Sequence, residues 1–187
     1  MTLTARIDHD CKCLDRYFHK LFDLLQEAII EGQDAPIEIQ DADASESQST
    51  YYRVTHFLKP DMIINTYSLV DFWMKEICTY QKSKNNLSLS YKDIKGNHDL
   101  HAYQKYLSLY AGLDLNAVQI SYKHLDDLRK VRNQFIHGGG HVPNDKEKEF
   151  SAINGITLLG SLIVIEDSFI WMTLDHARRY LCASAQA

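Results

Sequence analysis

The 187-residue chain has no apolar run fit to cross a bilayer: its most apolar stretch, Ile156 to Leu174, is interrupted by Glu166 and Asp167. Cysteine is sparse. The four present (Cys11, Cys13, Cys78 and Cys182) follow no disulfide-framework spacing, and Cys11-x-Cys13 is too close to bridge easily. With no signal-peptide pattern either, the cytosol is the expected compartment. Excess positive charge is also missing: 20 Lys and Arg face 25 Asp and Glu, a formal net charge of −5. Such a chain has no global attraction to nucleic acid or anionic lipid, so any RNA contact has to come from a local basic patch.

Complete metal and nucleotide motifs are lacking too. His98 and His101, and His137 and His141, stand at usable ligand spacings, but no carboxylate or cysteine motif joins them. His9-x-Cys11-x-Cys13 is an incomplete zinc set. Gly138-Gly139-Gly140 lacks the Lys-Ser/Thr of a P-loop and follows a helix instead of preceding one. No metal or other cofactor is expected. What is present is ordinary globular composition, 45% hydrophobic and 24% charged, in a chain long enough to bury a core without staples.

Periodicity predicts helices. Leu14, Phe18, Leu21, Phe22, Leu25 and Ile29 recur at three- and four-residue spacings in a first helix from about Ala5 to Glu31, ended by Gly32. From about 32 to 50 the chain is polar and acidic (Asp34, Glu38, Asp41, Asp43, Glu46), which predicts a mobile loop. A second helix is expected to start at Pro60 and run to about Lys82, with Ile63, Tyr67, Val70, Met74 and Ile77 on one face. A weaker third carries Leu100, Tyr103, Leu107 and Tyr110 and closes at Gly112. The fourth spans about Asn116 to His137 and stops at the glycine run. Around Gly160-Ser161 the period shortens, predicting a small β-hairpin near 156–165, with a continuous helix as the alternative. A last helix starts at Asp167. The expected fold is all-α, one bundle of about five helices over residues 1–187.

The fourth helix puts a charge among apolar residues. At about 100° per residue, Arg132 falls among Leu125, Leu128, Phe135 and Ile136, at −7, −4, +3 and +4. A desolvated arginine without a partner costs several kcal/mol, so the position implies a buried ion pair or a functional site. On the second helix Asp71 similarly sits among Ile64, Tyr67, Met74 and Cys78. The expectation is that Asp71 approaches Arg132 between packed helices and orients it. Asn133 and His137, four apart, share another strip that ends where the helix dipole favours a cation. Imidazoles as a class can serve as general base or acid. Arg132 and His137 lie about 140° apart, so either the arginine swings across or a two-fold partner completes the site. Lys123, Arg129 and Lys130 add a local positive surface suited to RNA backbone contacts, or simply a solvated helix face.

The Arg132-Asn133-x-x-x-His137 run, at the end of an amphipathic helix and followed by glycines, resembles the R-x4–6-H motif of the HEPN superfamily. The acidic position on the second helix and the long final helix fit as well. The resemblance extends from about Tyr51 to Leu181, and the motif is its most specific part. It implies an all-helical homodimer whose two motifs line one cleft, and a metal-independent endoribonuclease of toxin–antitoxin or antiviral defence systems. It further implies RNA as substrate, an antitoxin or defence partner, and catalysis by Arg132, His137 and Asn133 with Asp71 in support. RNA brings its own nucleophile, the 2′-hydroxyl, so the protein needs only a proton-transfer group and a cation. His137 would take the 2′-OH proton or protonate the leaving 5′-oxygen, Arg132 would stabilise the phosphorane, and Asn133 would orient phosphate or imidazole. One feature departs from a subset of these toxins, which carry a tyrosine two places after the motif histidine; that place is Gly139 here, which argues against neutralisation by tyrosine modification. The alternative the resemblance leaves open is an inactive HEPN-like module that dimerises and binds a partner protein or nucleotide. A third reading is a helical structural protein in which Arg132 and Asp71 merely fix packing.

Overall fold

A computed structural model of the chain describes the backbone of residues 1–33 and 37–186, and the side chains of those residues outside 25–56. Within that range the elements are α1 (Leu3–Gln33), α2 (Ile37–Lys84), α3 (Asp99–Lys105), α4 (Gln119–Gly138), α5 (Glu147–Ser151), β1 (Ile156–Leu159), β2 (Leu162–Ile165) and α6 (Asp167–Gln186). The architecture is all-α with one antiparallel hairpin, paired from Ile156↔Ile165 to Leu159↔Leu162. Gly160 at φ +60° supplies the left-handed turn residue that joins the strands. No described helix is long and apolar enough to cross a membrane.

The core follows from the apolar stripes. Ile7, Cys11 and Phe18 are buried on α1 at spacings of four and seven. On α2 the buried set is Met62, Ile63, Thr66, Val70, Trp73, Met74, Ile77, Cys78 and Gln81; on α6 it includes Phe169, Ile170, Leu174, Ala177, Tyr180 and Leu181. These three helices pack against one another, and α4 packs on α2 and α6 through Leu125, Leu128 and Val131. Each fully buried large side chain contributes roughly 1.5–3 kcal/mol relative to exposure, so this shared core fixes the α2–α4 seam on which the motif lies. The side chains of Leu25 and Ile29, expected on the apolar face of α1, lie outside the described residues.

Two boundaries differ from expectation. Pro60 lies inside α2, although a proline there forgoes one backbone hydrogen bond. Its neighbour Lys59 is tied down from another element, donating from Nζ to the Ile165 carbonyl at 3.0 Å and pairing with Asp167 at 2.8 Å. Such tertiary contacts outweigh the local preference to start at the proline. The acidic stretch expected to be a loop over 32–50 is helical up to Gln33 and again from Ile37; residues 34–36, and the side chains of the acidic residues named there, lie outside the described residues. The third helix is short and widens into a π-helical turn at Tyr106–Tyr110 before Gly112, at φ +73°, ends it.

Candidate active site

The last turn of α4 is closed by its glycines. Gly139 and Gly140 adopt φ +58° and +85°, and the N–H groups of both converge on the Gln134 carbonyl. The chain then turns back: the His141 N–H donates to the Gly138 carbonyl at 3.0 Å, and the Gln134 side-chain amide donates to the His141 carbonyl. Past the turn, His141 forms a β-bridge with Leu162. The helix end is thereby fastened to the hairpin, with His137 exposed beside it.

Arg132 is half-buried, at the edge of the apolar stripe and not in its middle. The buried positions of α4 are Ser121, Leu125, Leu128 and Val131, while Ile136 is 43% exposed. Val131, rather than Ile136, flanks the centre of the stripe, which rotates the core face away from Arg132. The guanidinium lies over the ring of Tyr67 on α2, with Cζ 5.3 Å from the ring centroid, and donates from Nη1 to Asn133 Oδ1 at 2.9 Å. Its Nε is buried without a hydrogen-bond partner among the described residues.

Asp71 does not pair with Arg132. It accepts from the Tyr103 hydroxyl at 2.9 Å and holds Lys75 at 2.6 Å. The carboxylate therefore lies one helical turn from the Tyr67 ring on the same side of α2, committed to α3 and to its own helix. Burial, then the nearby Asp71 charge, pushes the Tyr67 phenol up to about 12, so it stays neutral at ordinary pH. Burial and the bond to Asp71 raise Tyr103 still further. Arg132 is thus held by two uncharged groups, a ring face and an amide oxygen, and carries no ion pair among the described residues.

The expected basic surface is largely neutralised. Arg129 donates from Nε to Asp126 at 2.8 Å, and Lys130 bridges Glu149 at 2.9 Å and Asp127 at 3.5 Å. Lys123 is exposed. His98 has both ring nitrogens engaged: Nδ1 accepts from the His101 N–H at 3.2 Å, capping α3, and Nε2 contacts Asp126 at 3.2 Å. Burial, and then Arg129, holds its proton affinity below the usual histidine range. His9 contacts Cys13 Sγ at 3.6 Å on the exposed face of α1. Among the described residues no three His, Cys, Asp or Glu side chains are grouped to hold a metal. A groove between the ends of α1 and α6 carries Arg178 and Arg179, each paired to a carboxylate, and none of the motif residues.

Asn133 and His137 share a strip of α4, and Arg132 donates to Asn133. Within one chain, Arg132, Asn133 and His137 are brought to the same end of α4. Tyr67 is the residue that sequence reasoning assigned to the core and the structure places at the site; its signal was its position four residues before Asp71 on the same stripe. No family model, no curated protein and no solved structure matches the chain.

Proposed function

We propose that the chain is a metal-independent endoribonuclease of the HEPN kind, acting as an RNA-cleaving toxin or antiviral defence effector. The observation that carries the reading is the guanidinium of Arg132, without an ion pair among the described residues and oriented by Tyr67 and Asn133, on the helix whose last turn carries the exposed His137. A purely structural arginine on this seam would be expected to take up a carboxylate; Asp71, one turn of α2 beyond the Tyr67 ring, is bound to Tyr103 and Lys75 instead. A fixed cation without a counter-charge is what a phosphodiester requires as negative charge builds on the phosphorane. Arg132 binds the phosphate, Asn133 fixes the guanidinium, and His137 exchanges a proton with the reacting ribose. The products are a 2′,3′-cyclic phosphate and a 5′-hydroxyl. Asp71 supports the seam through Tyr103, and Lys123 offers an exposed cation on the same helix.

The reading includes a homodimer in which the α4 ends of two copies face one cleft; Ile136, exposed beside the motif, supplies an apolar contact for it. It also includes a cytoplasmic setting and a neighbouring-gene partner that restrains the toxin. Inducible expression tests this directly. Growth arrest with fragmented cellular RNA, abolished by Arg132→Ala and by His137→Ala, supports the proposal. Intact RNA with wild-type and variants all folded and dimeric favours an inactive binding module instead.

A further inference from the structure

A single histidine leaves half of the chemistry unassigned, because cleavage by the 2′-hydroxyl removes one proton and delivers another to a different oxygen. The end of α4 carries a second imidazole. His137 and His141 flank the Gly138-Gly139-Gly140 turn, and the bond from the His141 N–H to the Gly138 carbonyl closes a turn that holds His141 within about 7 Å at Cα of Gly138, the residue after His137. His141 is exposed, yet its backbone is held on both sides: its carbonyl by Gln134, and its chain by the bridge to Leu162. The flanking bonds, Val142 N–H to the Ser161 carbonyl at 2.8 Å and Ile163 N–H to the Gly140 carbonyl at 2.9 Å, make residues 140–142 a short third edge to the hairpin. The ring is fixed as well, with Nδ1 3.0 Å from Ser161 Oγ. When Nδ1–H donates to that hydroxyl, Nε2 is the nitrogen left to gain and lose a proton.

We propose that His141 is the general acid of this site, paired with His137 as general base; the inference rests on the ribonuclease reading above. His137 takes the proton from the 2′-hydroxyl as O2′ forms a bond to phosphorus. The P–O5′ bond breaks, and protonated His141 delivers its Nε2 proton to the departing O5′. His137 ends protonated and His141 neutral, and exchange with water resets both. Ser161 is a positioning residue that holds the His141 ring, and the glycine turn returns His141 to the helix end that carries His137.

The test uses an RNA oligonucleotide taken from an observed cleavage site, and the same oligonucleotide with sulfur in place of the bridging 5′-oxygen at the cut. A thiolate leaves without a proton, so only the oxygen substrate needs the acid. His141→Asn and His141→Gln are both prepared, so that one failing to fold does not decide the result, and folding is checked by thermal melting. The expected result is a loss of about a hundredfold or more on the oxygen substrate, with the sulfur substrate cut nearly as fast as by the wild type. His137→Asn slows both. Equal loss on both substrates in the folded His141 variants, or no loss on either, overturns the assignment while leaving the ribonuclease reading intact. Wild-type protein that leaves total RNA intact, so that no cleavage site is found, overturns that reading and this one with it.

Discussion

The seam between α4 and α6 contains two imidazoles that make stability depend on pH in a calculable way. His124 and His176 pack with ring centroids 4.6 Å apart and planes tilted by 36°, and Phe169 closes on His124 at 5.4 Å. His124 Nε2 lies 3.2 Å from Thr173 Oγ1, and His176 Nδ1 lies 3.1 Å from Ser121 Oγ. Burial, and then the neighbouring His176, lowers His124 from 6.5 to about 4; burial also lowers His176. The native state therefore resists a proton that the unfolded chain accepts. The stabilisation is complete above about pH 6.5 and is lost as pH falls toward 4. Each tenfold difference in proton affinity is about 1.4 kcal/mol, which sets a ceiling of about 3.5 kcal/mol; partial exposure of the ring reduces this to about 2 kcal/mol. Carboxylate pairs such as Asp8 with Lys12 and Arg178 also weaken in acid, so the informative quantity is a difference between proteins. In urea melts from pH 7.5 to 4.5, His124→Gln, which keeps a donor for Thr173 but cannot take up the proton, should lose about 2 kcal/mol less than the wild type over the span. Parallel curves for the two proteins would refute the reasoning, as would a wild type that gains stability on acidification.

The motif's supports make further expectations. Tyr67→Leu should lower RNA cleavage about tenfold by removing a cation–π contact worth roughly 1–2 kcal/mol, whereas Tyr67→Phe keeps the ring face and most of the rate. Asp71→Asn should leave cleavage near wild type and change stability by under about 1 kcal/mol, since it keeps an acceptor for Tyr103 and loses only a partly exposed pair with Lys75; a collapse of activity would restore Asp71 as the arginine's orienting group. At the helix stop, Gly140→Ala should destabilise by about 2 kcal/mol in urea melts and Gly139→Ala by about 1 kcal/mol. Both have positive φ, but a Cβ on Gly140 would come within 2.7 Å of Phe135 Cε1 while one on Gly139 meets open space.

What could be read from the residues was local. The stop after His137 is visible because three consecutive glycines leave a helix little else to do, and the Gly160-Ser161 hairpin because its turn chemistry and its period-2 strands agree. The start of α2 departs from its proline's local preference because contacts from Lys59 to Ile165 and Asp167 hold that segment. The wheel put an arginine on an apolar face correctly enough to single it out, yet it placed Arg132 at the centre because it counted Ile136 and not Val131. It named Asp71 as the arginine's partner, where the structure sets the Tyr67 ring. Both stand on the same stripe of α2, and the choice was made by Tyr103, which arrives from α3 and occupies the carboxylate. Pairing across separate helices is set by tertiary geometry, which periodicity does not encode.

The central claim is that Arg132 and His137 cut RNA without a metal. Purified protein incubated with total RNA in excess chelator, beside Arg132→Ala and His137→Ala, tests it most directly when the fragment ends are typed. The account predicts fragments with 2′,3′-cyclic phosphate and 5′-hydroxyl ends from the wild type, and intact RNA from both folded variants. Cleavage that persists in either folded variant, or that disappears with the chelator, would contradict it.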